Sequence, residues 1–325
     1  MKTRSRAGAL LLVVATFASG AAQSQATSWP DPADIRTLKK QLATAEAKGG
    51  KDHPDLTELL FAIGDAYRDQ GGYVLAAPYI ARVLLITEKA HGSDHLQVAA
   101  VLDKLGTLYL RQGDTARART AYVRAGPILL RDIGPDRPIY GIFLMHLAEL
   151  QLLAGQITDA QRTVDQASTA FGEHLSEAAH EWTGANQGMG VLFLGLGRYE
   201  QAEQQLVYAL TVRSEALELE EHDKALLYVA PTQNALATLY VALGRDDEAE
   251  PLLRNALATY ERKYGKDHPL LEDVIVNLAA LYDHKGDATK ARQYADRARV
   301  LHEKSAGYSH LPAWPLRPTV PTHRK

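Results

Sequence analysis

The sequence predicts an all-α chain, a solenoid of about six stacked helical hairpins, and three observations carry that prediction. A set of small, aromatic and glycine positions recurs six times at a spacing of 42 residues, interrupted once by 47. In each unit a glycine separates two stretches whose apolar residues fall at i, i+3, i+4 and i+7, as in Ile275, Leu278, Ala279 and Tyr282. A lone hairpin of this kind cannot bury both of its apolar faces, so neighbouring units must stack.

The first 26 residues read as a secretory signal peptide. Lys2, Arg4 and Arg6 precede the apolar run Ala7 to Phe17, and small and polar residues follow from Ala18 to Ala26. That run is shorter than the roughly 20 apolar residues of a membrane span. The expectation is therefore cleavage after Ala21, Ala22 or Ala26 and a mature chain in the bacterial periplasm or outside the cell, without membrane insertion. Residues 27–49 come next as a linker and an N-terminal capping helix. Trp29-Pro30-Asp31-Pro32 is extended, whereas Ile35, Leu38, Leu42 and Ala45 recur at helical spacing and suit a helix that covers the first hairpin.

Six repeats occupy residues 50–307. The small column holds Gly64, Gly106, Ala148, Gly190, Ala237 and Ala279, and the aromatic column Tyr67, Tyr109, Gln151, Phe193, Tyr240 and Tyr282. The turn is glycine every time: Gly71, Gly113, Gly155, Gly197, Gly244 and Gly286. Two further small columns follow, beginning at Ala76 and Val83 in the first repeat. Glycine accepts the left-handed backbone that ends many helices, the alanines let paired helices approach closely, and the aromatic column fills the space between repeats. Gln151 is the one non-aromatic member of its column and predicts weaker packing there.

At these columns the chain resembles the tetratricopeptide repeat family, whose usual unit is 34 residues. The 42-residue unit resembles its kinesin-light-chain-like branch, as does the linker Gly-Lys-Asp-His-Pro at residues 50–54 and again at 265–269. The resemblance implies a right-handed superhelix whose first helices line a concave groove that binds another protein or an extended peptide. It also places the inward residues by register. These are Asp65 and Arg68 in repeat one, Asp103 and Arg111 in repeat two, Met145 and Leu152 in repeat three, Gln187 and Leu194 in repeat four, Asn234 and Val241 in repeat five, and Asn277 in repeat six. On that reading Gln187, Asn234 and Asn277 clamp a peptide backbone, because an amide both donates and accepts. Met145, Leu152, Leu194 and Val241 would receive its apolar side chains.

Composition narrows the remaining possibilities. With 46% apolar and 23% charged residues among 325, the chain reads as globular. Thirty-six Lys and Arg against 39 Asp and Glu offer no general field for nucleic acid. The absence of cysteine excludes disulfides, thiolate metal sites and a cysteine nucleophile. His180-Glu181 begins like a zincin helix but lacks the second histidine, and no phosphate-binding loop or nucleophile elbow occurs. The linker histidines His53, His95 and His268 are read as parts of helix starts, with the neighbouring Asp as cap and Pro in the first turn. No cofactor, metal or catalytic residue is expected.

Two irregular segments remain. Five extra residues fall between repeats four and five, around the acidic stretch 215–223, and are read as an extended helix. The Pro-rich tail 308–325, with Trp314 between prolines, is read as extended chain and offers a route to self-association. A self-associating assembly subunit of the envelope is accordingly the alternative to a binding scaffold, and an accessory to an enzyme the third reading.

Overall fold

A computed structural model describes residues 33–172, 183–219 and 222–304, and among these residues it contains thirteen α-helices and no strand. They are α1 (Ala33–Gly49), α2 (Thr57–Asp69), α3 (Tyr73–His91), α4 (Leu96–Arg111), α5 (Thr115–Asp132), α6 (Pro138–Leu153), α7 (Ile157–Phe171), α8 (Thr183–Gly195), α9 (Tyr199–Leu219), α10 (His222–Ala242), α11 (Asp246–Tyr264), α12 (Glu272–His284) and α13 (Ala288–Lys304). From α2 onward they pair into six antiparallel hairpins. The signal-peptide reading, the zincin-like dipeptide and the Pro-rich tail lie outside the described residues.

Every periodic glycine sits in the turn between the two helices of a hairpin, with φ between +71° and +77°. The left-handed residue lets the chain reverse so that the next amide donates to the carbonyl of the aromatic column. Asp114 N donates to Tyr109 O at 2.9 Å and Asp287 N to Tyr282 O at 2.8 Å, and the other four repeats match. The carboxylates of Asp114 and Asp287 then cap the second helices by accepting from Arg117 N and Lys290 N.

Between repeats the cap differs from the sequence expectation. It is the linker histidine, not the aspartate, that accepts from the first turn: His53 Nδ1 from Asp55 N at 3.3 Å, His95 Nδ1 from Gln97 N at 3.2 Å and His268 Nδ1 from Leu270 N at 3.3 Å. The histidine occupies the extended position just before the helix, where an Asn or Asp usually stands, and its ring nitrogen reaches the same free amide.

The buried apolar residues form two clusters that meet at α4, one reaching back to Ile35 and Leu42 of α1 and the other running on to Leu301 of α13. Arginines of the second helices α3, α5 and α13 hold the unit before them, which for α3 is the capping helix α1. Arg82 pairs with Glu46, Arg124 with Glu88 and Arg297 with Glu261, each 36 residues apart. The same register carries Gln166, Tyr208 and Asn255 in the middle repeats, and the Tyr208 hydroxyl is buried without a hydrogen bond among the described residues. The five extra residues lengthen α9 and α10 to 21 residues each.

The superhelix winds tightly enough for its two ends to touch. Leu270 packs on Gly71, where an added Cβ would lie 2.9 Å from Leu270 Cδ2. Tyr264 donates its hydroxyl to the Asp69 carbonyl at 3.4 Å, 195 residues away in sequence. The concave face is thus a channel closed by a narrow seam, not an open trough.

Candidate functional site: the concave channel

The first helices carry a ladder of polar contacts into the channel, with a register of its own. A residue two before the small column reaches back to the preceding repeat, 39 or 43 residues upstream. Lys104 Nζ binds both Asp65 oxygens, at 2.8 and 3.1 Å. His146 Nδ1 binds Asp103 at 2.9 Å. Asn277 Nδ2 donates to Asn234 Oδ1 at 2.9 Å and to Thr238 Oγ1 at 3.1 Å. Lys104 and His146 were not among the residues placed by register. In repeat four the equivalent position is Gly188, and the space it leaves is filled by Met145, whose Cε would lie 2.1 Å from an added Cβ.

At the N-terminal end the expected charges are all present but neutralise one another. Asp65 also accepts from Arg68 at 2.7 Å, and Arg68 is shared with Asp69. Arg111 grips Glu149 with both Nη atoms, the Nη2 contact at 3.0 Å. The Glu149 carboxylate holds the guanidinium charge more firmly than usual, outweighing the cost of burial. Burial alone would push the His146 imidazole down, but Asp103 beside it leaves its pKa raised. Its ring also stacks on Tyr122, centroids 6.5 Å apart.

The apolar and amide members divide into two groups. Met145, Leu152 and Val241 are half-buried and pack against the core. Leu194 goes further: at 2% exposure it belongs to the continuous core, because at this point of a tightly wound superhelix the fourth residue after the small column turns under its neighbour. The expectation that it receives a ligand side chain is corrected accordingly. Gln187 accepts from Arg213 and from Thr232. Asn234 and Asn277 are bonded to each other, which leaves Asn234 Nδ2 and Asn277 Oδ1 without a hydrogen bond among the described residues.

Second helices contribute residues that the register did not place. Burial pushes up the phenols of Tyr73 in repeat one and Tyr260 in repeat five, and the Asp273 charge adds to both. Arg213 of α9 reaches between α8 and α10. Burial pulls its pKa down to about 10. Among the described residues no three His, Cys, Asp or Glu side chains converge on a point that a metal would fill. No helix of the described residues is long and apolar enough to cross a membrane.

The chain is similar to proteins of one repeat family. The tetratricopeptide repeat family model matches residues 59–130 and 228–304. Protein KINESIN LIGHT CHAIN-RELATED 1 of Arabidopsis thaliana is 25% identical over 251 residues, covering 77% of this chain and 40% of its own length. Protein KINESIN LIGHT CHAIN-RELATED 2 of the same plant is 26% identical over 253 residues, covering 77% and 37%. The chain therefore spans about two fifths of the curated relatives it matches. A Rap protein crystallised with Competence and Sporulation Factor shares the fold at a TM-score of 0.50 and 17% identity, over 85% of this chain and 76% of that one. The chain thus carries tetratricopeptide repeats at residues 59–130 and 228–304, and over about three quarters of its length it is similar to kinesin-light-chain-related proteins.

Proposed function

We propose that this protein is an exported, non-catalytic scaffold of the bacterial envelope that holds an extended peptide, or an extended segment of a partner protein, in the concave channel. The observation that carries the reading is the unspent donor and acceptor on the Asn234–Asn277 pair, set on neighbouring first helices in a channel that also offers Met145, Leu152 and Val241. One donor and one acceptor on adjacent amides match the alternating groups of an extended backbone. Binding by a Rap protein of this fold, which was crystallised with Competence and Sporulation Factor, is consistent with a ligand in the superhelix. The basic and apolar N-terminus supports export.

The test is selection of a displayed random-peptide library on the wild-type chain, with the selected peptides rebound to Asn234→Ala/Asn277→Ala. The double variant is expected to bind them at least tenfold more weakly while losing only about 1 kcal/mol of stability for each hydrogen bond removed. Equal binding by the variant overturns the amide clamp. A chain that enriches no peptide and instead dimerises in light scattering, reverting to monomer when residues 308–325 are deleted, favours self-association. Export is read separately, by activity of alkaline phosphatase fused after residue 40.

A further inference from the structure

A cleft of about 370 Å³ opens between the second helices of repeats three and four, α7 and α9, away from the channel that the first helices line. The repeat register explains why it is there. Where repeat one meets two and repeat five meets six, the same place is occupied by Leu84 and Leu257, which pack on the core, and by the ion pairs of Glu88 with Arg124 and Glu261 with Arg297. Between repeats three and four the equivalent positions hold Ser168, Gly172 and Tyr208, and all three line the cleft. The bulk of a leucine and the bridging pair of charges are both missing. What remains is uncharged: the other lining residues among those described are Phe193 and the glutamines 201, 204 and 205. Arg198, whose guanidinium lies 5.4 Å from the Phe193 centroid, is itself paired with Asp165 at 2.7 Å. The Tyr208 hydroxyl is buried and has no hydrogen bond among the described residues, a cost that lasts until a partner reaches it.

We propose that this cleft is a binding site for a small uncharged molecule that joins a flat apolar body of about two rings to one amide group. The size follows from volume: a cavity of about 150 Å³ takes one benzene ring, and this cleft is more than twice as large. The charge follows from the walls, because an ion entering them would lose water without meeting an opposite charge. An apolar body suits the Phe193 ring and the methylene stems of the glutamines, and the amide suits the rest. Its carbonyl accepts from the Tyr208 hydroxyl, and its N–H groups donate to a glutamine oxygen. Gln205 is already steadied for this by Asn186 Nδ2, which donates to its oxygen at 2.8 Å, while Gln201 and Gln204 are exposed. The site is built from second helices and does not depend on what the channel holds.

Indole-3-acetamide serves as the probe, with indole-3-acetate and tryptamine as its anionic and cationic counterparts and 3-methylindole as the ring without the amide. Each is titrated calorimetrically into the full chain as wild type, Ser168→Leu and Tyr208→Phe. Indole-3-acetamide is expected to bind wild type saturably at a single site, and either ion at least about tenfold more weakly. Ser168→Leu installs the residue that Leu84 and Leu257 supply at the equivalent junctions. It should leave the melting temperature unchanged or raised and weaken the probe by at least about tenfold, because the side chain fills the cleft. Tyr208→Phe should weaken indole-3-acetamide about 3- to 10-fold, the range of one hydrogen bond, and leave 3-methylindole unaffected, a difference that a merely structural tyrosine would not produce. No saturable binding of indole-3-acetamide, tighter binding of either ion, or equal binding by a Ser168→Leu chain that melts like wild type overturns the proposal. If Ser168→Leu melts lower than wild type, Tyr208→Phe decides: an unchanged affinity for the amide, or an equal loss for 3-methylindole, overturns it. Peptides selected as described above should bind Ser168→Leu as they bind wild type, so the cleft and the channel stand or fall separately.

Discussion

Gly106→Ala is the substitution that separates close packing from helix propensity. Gly106 lies inside α4, where replacing glycine by alanine ordinarily stabilises a helix by about 1 kcal/mol. Here an added Cβ would fall 2.4, 2.8 and 2.9 Å from three ring atoms of Tyr122. The ring has little freedom to yield. It is 2% exposed, meets Phe143 edge-on with centroids 6.0 Å apart, stacks on His146 and bonds Thr107 through its hydroxyl at 3.3 Å. Overpacking of a well-filled core costs about 1–3 kcal/mol, and contact with three atoms of a boxed ring belongs at the upper end. The net expectation is a loss of about 1–2 kcal/mol, read as a lower urea midpoint by far-ultraviolet circular dichroism. Gly184→Ala in α8, where an added Cβ meets nothing within 4 Å, serves as the control and should be neutral or stabilising by up to about 1 kcal/mol. Repeat three carries Ala148 opposite Val164 at the same register, so Tyr122→Val should restore part of the loss in Gly106→Ala. A Gly106→Ala chain as stable as wild type or more stable would refute the close-approach account of the small column.

Three further outcomes are expected. Gln151 has a buried side-chain oxygen with no hydrogen bond among the described residues, so Gln151→Leu should gain about 1 kcal/mol in chemical denaturation; a loss of stability would refute this account of the oxygen. Because the folded pKa of His146 is raised above its unfolded value, near 6.5, the His146–Asp103 pair stabilises the chain fully below about pH 6.5 and ceases to do so as pH rises through the folded value. Asp103→Asn should accordingly lower the melting temperature at about pH 6 more than at about pH 9, and an equal effect at both would remove the pair from the account. His95→Ala loses the cap on Gln97 N and should cost about 1 kcal/mol, whereas His95→Asn should retain most of it; equal stability of the two variants would show that the ring nitrogen does not act as a cap.

Much of the fold was legible because the features that set it are local. A turn glycine between two amphipathic stretches states where a hairpin reverses whatever surrounds it, and all six such glycines take the left-handed backbone expected of them. The linker histidines were less legible: Asp and His both accept hydrogen bonds, and only the extended conformation of the histidine selects its ring nitrogen. The channel was legible as a register but not as a chemistry. Asp65, Asp103 and Arg111 were placed on first helices, yet their charges are spent on Lys104, His146 and Glu149. Leu194 was placed in the groove by the same register as Met145, and only the packing around each makes one fully buried and the other half-buried.

The sequence by itself determined that the chain is a stack of helical hairpins, which helix of each pair comes first, and which residues lie against the next unit. These follow from periodicity within one repeat and from the need of each apolar face for a neighbour. The tertiary structure decided how far small rotations between repeats accumulate: enough for Leu270 to meet Gly71 and for Tyr264 to reach Asp69, so that a trough becomes a channel. It also decided which polar groups inside that channel are already satisfied and which are not. Pairing across repeats depends on distances of a few ångströms set by the whole winding, and no single 42-residue unit contains that information.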